Sequence, residues 1–77
     1  MDSFTVYTQP GCAFCDLAIA LLEFEEKAIN IVDIKENPHA LVMFQAFGLK
    51  TVPQVYHNGK HIGGYEDLVR YMEALAE

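Results

Sequence analysis

The spacing of hydrophobic residues changes along the chain, and each change predicts a new element. Residues 4–7 are β-branched or aromatic and indicate a strand, which runs into a loop containing Pro10 and Gly11. Apolar residues then recur at helical spacing over residues 13–27, and residues 29–34 show the pattern of a second, largely buried strand. The apolar face predicted for this first helix consists of Leu17, Ala18, Leu21, Leu22 and Phe24.

Capping residues delimit a second helix. Asn37 can cap free amides and Pro38 suits the first helical position, so we expect a helix that begins there. It runs to about Phe47 and stops at Gly48, a natural left-handed end. The apolar side chains of this region that we expect in the core are Met43, Phe44 and Phe47.

An Asn-Gly pair at residues 58–59 separates two short strand patterns, residues 54–57 and 60–62, and is typical of a two-residue hairpin turn. A third helix follows over residues 65–76. The order β-α-β-α-β-β-α implies a right-handed crossover with parallel pairing of the first two strands, and an antiparallel hairpin. The predicted fold class is therefore α/β, as one domain over residues 1–77 with a four-stranded mixed sheet flanked by three helices.

Charge and hydropathy exclude two classes of partner. The 77 residues include 11 acidic and five scattered basic side chains, for a net charge of −6. Without a basic stripe to neutralise phosphates, neither nucleic acid nor an anionic membrane is expected as a partner. No apolar stretch approaches the ~18–20 residues of a membrane span, and the N-terminus does not resemble a secretory signal. We therefore expect a cytoplasmic protein.

Cys12 and Cys15 form a C-x-x-C motif between the first strand and the first helix. Unpaired amides and the positive end of the helix dipole would stabilise a thiolate on Cys12, and the thiolate is the nucleophilic form. Cys15 follows about one helical turn later, close enough to attack a mixed disulfide on Cys12. A permanent structural disulfide does not fit a cytosolic protein. The motif therefore indicates thiol–disulfide chemistry.

Two further motifs are weaker indicators of function when each is taken alone. Residues 51–53, Thr-Val-Pro, precede the third strand, where a proline marks a strand entrance or a simple turn. Residues 63–67, Gly-Gly-Tyr-Glu-Asp, open the third helix. Backbone amides there could hold a carboxylate, although a tight turn with acidic capping residues is the better explanation of this motif taken alone.

In this order and spacing, the three motifs resemble the glutaredoxin family. The resemblance covers nearly the whole chain, through residues 6–8 before the C-x-x-C motif, residues 51–55 and residues 62–68. It implies a thioredoxin-like fold and a cis peptide bond between Val52 and Pro53. It also implies a dithiol mechanism in which Cys12 attacks and Cys15 resolves.

The same resemblance implies glutathione as co-substrate, with no tightly bound cofactor and no metal. Cys12 would bond the glutathione sulfur, and the Val52 backbone would pair with the cysteine of glutathione. The γ-glutamyl carboxylate would rest on the amides near Tyr65 and Glu66, and its ammonium would meet Asp67. The glutathione-binding residues implied in this way are Gln9, Phe14, Lys50, Thr51, Val52, Pro53, Gly64, Tyr65, Glu66 and Asp67.

The function implied is reduction of protein disulfides and of glutathione mixed disulfides by a monomer. Its partners would be disulfide-containing or glutathionylated proteins, with ribonucleotide reductase as one candidate target. Two residues depart from the family pattern: Ala13 replaces the usual proline of the motif, and Gln9 stands where many members have a lysine. Residues 7–12 also resemble redoxins that are recharged by thioredoxin reductase, so a glutaredoxin-like redoxin of that kind stays an alternative.

Metal binding is the other class of alternative. Some glutaredoxins hold an iron–sulfur cluster between two subunits, and loss of the motif proline favours this, so it stays open. A zinc site made of Cys12, Cys15, His57 and His61 is not expected, because 41 residues separate Cys15 from His57. The two histidines flank a hairpin turn, where we expect solvated cross-strand neighbours.

Overall fold

The structure, a computed structural model, describes residues 2–76. Its elements are, in chain order, β1 Phe4–Thr8, α1 Ala13–Phe24, β2 Ile29–Asp33, α2 Pro38–Ala46, β3 Gln54–His57, β4 Lys60–Gly63 and α3 Tyr65–Leu75. The predicted order of elements is confirmed. The strands form one mixed sheet in the order β2-β1-β3-β4, in which β1 and β2 are parallel and the other two pairs antiparallel. Within residues 2–76 there is no helix with the length and apolar character needed to cross a membrane.

The core lies between the sheet and the helices α1 and α3. Alternate residues of β1 point to opposite faces, so Phe4 and Val6 are buried on one side while Tyr7 faces the other. On that other side α2 covers the sheet, and the ring of Phe44 lies 5.8 Å from the ring of Tyr7. The main buried cluster consists of Phe4, Val6, Ala18, Leu22, Val55, Leu68 and Met72.

The predicted caps and turns are present. Asn37 is the N-cap of α2, and its side-chain oxygen accepts a hydrogen bond from the Ala40 N–H at 3.2 Å. Gly48 follows α2 with φ of 76°. Asn58 and Gly59 both have positive φ, 52° and 85°, which gives the hairpin turn that the Asn-Gly pair predicted.

The predicted C-terminal end of α1 was wrong, and so were two residues of its predicted apolar face, Leu17 and Phe24, which are exposed. The helix ends at Phe24 instead of Lys27, because Glu26 adopts a φ of 57° and the Lys27 N–H bonds back to the Leu22 carbonyl at 2.9 Å. Phe24 is 81% exposed. It lies two residues beyond buried Leu22, about 200° around the helix axis, and so points away from the sheet.

Fewer residues of α2 and β2 are buried than the sequence predicted. Phe44 is buried, but Met43 and Phe47 are about half exposed. The buried residues of α2 are Ala40 and Phe44, one helical turn apart, which leaves Met43 and Phe47 on an adjacent stripe. β2 is an edge strand paired only with β1, and Ile31 on it is 55% exposed.

Candidate active site

The C-x-x-C motif lies where the loop after β1 enters α1. Cys12 is the N-cap of α1, and its Sγ accepts a hydrogen bond from the Cys15 N–H at 3.1 Å. The two cysteines form a disulfide, with their Cα atoms 5.2 Å apart. Cys15 is fully buried, whereas Cys12 is partly exposed. Of the two sulfurs, that of Cys12 is therefore the one that a substrate can reach.

The segment before β3 lies directly beside this disulfide. The Val52–Pro53 peptide bond is cis, as the resemblance implied. The Val52 carbonyl oxygen is 3.8 Å from the Cys12 Sγ, and Pro53 is buried. Because proline has no N–H to donate, the strand pairing of β3 starts only at Gln54. The backbone of Val52 is thus placed where it can contact a group bonded to Cys12.

A groove of about 420 Å³ extends from this segment to the N-terminus of α3. Its lining residues are Phe14, Thr51, Val52, Pro53, Gly64, Tyr65, Glu66, Asp67 and Arg70. Eight of the ten predicted glutathione-binding residues are in this set. The rings of Phe14 and Tyr65 lie 6.0 Å apart. The groove therefore has an aromatic part near the disulfide and a charged end on α3.

The remaining two predicted residues, Gln9 and Lys50, line a second cavity of about 360 Å³ together with Cys12. Thr51 and Val52 line both cavities and separate them. The other lining residues of this cavity, Ile34 and Phe44, are buried and apolar, and neither was predicted as a site residue. A depression of about 620 Å³ beside β2 contains neither cysteine.

The carboxylate of Asp67 holds the N-terminus of α3. Its Oδ2 accepts a hydrogen bond from the Gly64 N–H at 3.2 Å, which satisfies an amide at the helix start. Gly63 makes this arrangement possible, because it has φ of 125° and a Cβ there would lie within 2.8 Å of the Asp67 Cγ. At Gly64 an added Cβ would meet the Pro53 carbonyl oxygen at an ordinary 3.7 Å.

Arg70 was not predicted as a site residue. Its Nη1 lies 3.5 Å from Asp67 Oδ1, and its Nη2 lies 3.9 Å from Glu66 Oε2. The signal was present in the sequence, because residues three and four positions apart on a helix are neighbours. Arg70 stands at those spacings from two residues that the resemblance assigned to the ligand.

The two histidines of the hairpin lie on opposite faces of the sheet. His57 stacks on Phe4 at 4.0 Å and hydrogen-bonds the Tyr71 hydroxyl at 2.6 Å, on the side of α3. His61 lies on the other side, with its ring 4.8 Å from that of Tyr56. The expectation of solvated cross-strand neighbours was therefore wrong for His57. Among residues 2–76, no three His, Cys, Asp or Glu side chains converge to hold a metal ion.

Comparison with known proteins decides the family. The glutaredoxin family model matches residues 4–62. The chain belongs to the glutaredoxin family. It is 33% identical over 75 residues to a glutaredoxin of Neisseria meningitidis, across 95% of this chain and 88% of that protein. This family and the C-x-x-C pair make the chain a glutaredoxin-type thiol–disulfide oxidoreductase.

Two further proteins resemble this chain, one in sequence and one in structure. The chain is 36% identical over 70 residues to the hybrid peroxiredoxin hyPrx5 of Haemophilus influenzae. The matched region covers 91% of this chain but only 29% of that longer protein. Among solved structures, glutaredoxin 1 from Francisella tularensis, complexed with cacodylate, superposes with a TM-score of 0.84. That match covers 99% of this chain and 98% of that chain at 21% sequence identity, and it confirms the thioredoxin-like fold.

Proposed function

We propose that this glutaredoxin uses glutathione to reduce protein disulfides and glutathione mixed disulfides, as a monomer in the cytoplasm. One observation carries the proposal. The accessible sulfur, that of Cys12, lies beside the cis-proline segment, from which a groove leads to the N-terminus of α3. Aromatic side chains and charged groups line this groove, a composition suited to a short peptide that carries its own charges.

The reaction with a protein disulfide begins from the reduced pair. The Cys12 thiolate attacks one target sulfur, a bond forms between them, and the other target sulfur leaves as a thiolate. Cys15 then loses its proton and attacks the Cys12 sulfur. This step forms the Cys12–Cys15 disulfide and releases, as a thiolate, the target sulfur that had been bonded to Cys12. The hydrogen bond from the Cys15 N–H to the Cys12 Sγ supports negative charge on Cys12 before the attack.

Glutathione then reduces the disulfide in two steps. The first glutathione thiolate attacks Cys12, forms a mixed disulfide there and releases Cys15 as a thiolate. The second attacks the sulfur of the bound glutathione, releasing glutathione disulfide and the Cys12 thiolate. With a glutathionylated protein, the Cys12 thiolate attacks the glutathione sulfur directly and the target sulfur leaves as a thiolate. Only the second of the two glutathione steps is then needed.

Binding of glutathione would use both cavities. The Val52 backbone lies beside Cys12 and is suited to pair with the central cysteine of glutathione. Lys50, in the cavity on the Gln9 side, would face the glycine carboxylate. Asp67, at the far end of the groove, would face the γ-glutamyl ammonium. Opposite charges at opposite ends would fix the direction in which the tripeptide lies.

Two serine variants test the assigned roles of the cysteines. Cys12→Ser should abolish reduction of both substrate types, because the attacking sulfur is gone. Cys15→Ser should abolish reduction of protein disulfides but leave much of the activity on glutathionylated substrates, which need Cys12 alone. Both activities are measured on each variant under identical glutathione concentrations. Equal loss of the two activities in Cys15→Ser would contradict this division of roles.

A second candidate reductant is thioredoxin reductase. The observation in its favour is Gln9, which lines the cavity next to Cys12 at the position where many family members have a lysine. Without that positive charge the attraction for glutathione is weaker, and recharging by a reductase protein becomes the competing route. Ribonucleotide reductase is a candidate target under either reductant.

A further inference from the structure

Arg70 occupies the charged end of the groove in an arrangement that can change when a ligand arrives. Its two terminal nitrogens face two different carboxylates, Asp67 Oδ1 at 3.5 Å and Glu66 Oε2 at 3.9 Å. The Arg70 side chain is 72% exposed, and exposed ion pairs at these distances are weak. The guanidinium can therefore leave one carboxylate without a large loss of stability.

Glu66 creates an electrostatic problem for the ligand proposed for this groove. The γ-glutamyl end of glutathione carries an α-carboxylate as well as an ammonium. Amides at the N-terminus of α3 attract that carboxylate, but the Glu66 carboxylate lies in the same first turn and repels it. Moreover, the Gly64 N–H is already bonded to Asp67. Within the described part of the chain, Arg70 is the one basic residue lining the groove, and it can offset this repulsion.

We propose that Arg70 is a specificity-determining residue that binds the α-carboxylate of the γ-glutamyl group. In the free protein it contacts the carboxylates of both Asp67 and Glu66. In the complex, the ligand ammonium replaces the Arg70 Nη1 at Asp67 Oδ1, and the released Nη1 donates to the ligand carboxylate. One ion pair is lost and two are formed, and Nη2 remains near Glu66. The inference rests on the proposed function, because it places glutathione in this groove.

A purely structural role for Arg70 gives a different expectation. Glu66 and Arg70 are one helical turn apart, in the order that stabilises an isolated helix. If that were the whole role, removing Arg70 would affect every substrate equally. The two roles are therefore separated by a ligand that lacks only the α-carboxylate.

The experiment uses two disulfide substrates that share one model peptide thiol. One carries glutathione, and the other carries 4-aminobutyryl-Cys-Gly, which keeps the ammonium but has no α-carboxylate. The wild-type protein, Arg70→Ala and Arg70→Lys are compared at a fixed, saturating concentration of glutathione. Lys35→Ala is the matched control, because it removes the same charge from an exposed side chain outside the groove.

With the glutathione substrate, we expect Arg70→Ala to raise KM about three- to tenfold, the loss of one charge-assisted contact, with kcat within about twofold. The KM of Arg70→Lys should lie between those of wild type and Arg70→Ala, because lysine keeps the charge but not the planar pair of donors. With the 4-aminobutyryl substrate, wild type and Arg70→Ala should have the same KM within about twofold. Lys35→Ala should behave as wild type on both.

An equal rise in KM on both substrates, or no rise on the glutathione substrate, would overturn the role of Arg70. In either case an active wild type would leave the proposed function intact. Absence of wild-type turnover with the glutathione substrate would instead overturn the proposed function, and this inference with it. Far-UV circular dichroism of Arg70→Ala, compared with wild type, is the check that the variant is folded.

Discussion

Gly63 and Gly64 are adjacent, but only the first needs to be glycine, and alanine at each position tests this directly. Gly63 has φ of 125°, where an added Cβ would collide with the Asp67 side chain. Gly64 has φ of −84°, and an added Cβ there would meet the Pro53 carbonyl oxygen at 3.7 Å, an ordinary contact. The two substitutions add the same methyl group one residue apart.

The loss of stability expected for Gly63→Ala has two parts. Holding alanine in a region of φ/ψ space that is normally reserved for glycine costs about 1–3 kcal/mol. Displacing the Asp67 carboxylate breaks its bond to the Gly64 N–H, a capping interaction of about 1 kcal/mol. We therefore expect Gly63→Ala to lower the free energy of unfolding by about 2–4 kcal/mol, and Gly64→Ala by less than about 1 kcal/mol. For a domain of this size, the first corresponds to about 8–30 °C in Tm.

The assay is urea unfolding followed by far-UV circular dichroism, with Asp67→Ala and the Gly63→Ala/Asp67→Ala double variant included. Because Asp67→Ala removes the colliding carboxylate, Gly63→Ala should be about 1 kcal/mol less costly in that background. Equal losses for the two glycine variants would refute the requirement for glycine at residue 63. An unchanged loss in the Asp67→Ala background would refute the collision and leave backbone strain alone.

Three further predictions concern the core, pH dependence and the second cavity. Leu22→Ala should lower the free energy of unfolding in urea by about 2.7–5.0 kcal/mol, because Leu22 is fully buried. Leu17 is 46% exposed, so Leu17→Ala should lower it by about 1 kcal/mol or less. Similar losses for the two variants would contradict the packing described for α1. The hydrogen bond from His57 holds the pKa of Asp2 below its ordinary 3.8, so the stabilisation it gives is present above that pH and lost as pH falls through the lowered pKa. The Tm difference between wild type and Asp2→Asn should therefore shrink below pH 3.8, and a constant difference would argue against the pair. Lys50→Gln should raise KM for glutathione mixed disulfides about two- to fivefold at constant kcat, and an unchanged KM would remove Lys50 from the site.

Local rules account for the parts of the fold that the sequence predicted correctly. The order of elements, the Asn37 cap and the Asn58-Gly59 turn depend on residues that are adjacent in the chain. The cis bond before Pro53 followed from the family resemblance and not from local rules. Eight of the ten residues expected to bind glutathione line one groove, because the motifs lie at the ends of neighbouring elements.

The wrong or missing predictions all depend on tertiary structure. Helical spacing predicts one buried face but not its width, so Phe24 and Met43 were placed in the core although both are exposed. An apolar strand pattern does not tell whether a strand is central or at an edge, and Ile31 on β2 is exposed for that reason. Helical spacing indicated that Arg70 contacts Glu66 and Asp67, but Arg70 lines the groove only because α3 lies against the segment that contains Pro53.

We propose above that Cys12 exchanges disulfides with electrons supplied by glutathione. The most direct test of this proposal is turnover of a glutathione mixed disulfide, measured once with glutathione and glutathione reductase and once with thioredoxin reductase. We predict sustained NADPH consumption with the glutathione system, and its loss in Cys12→Ser. Turnover with thioredoxin reductase alone would contradict glutathione as the reductant and assign the chain to the redoxins recharged by that enzyme.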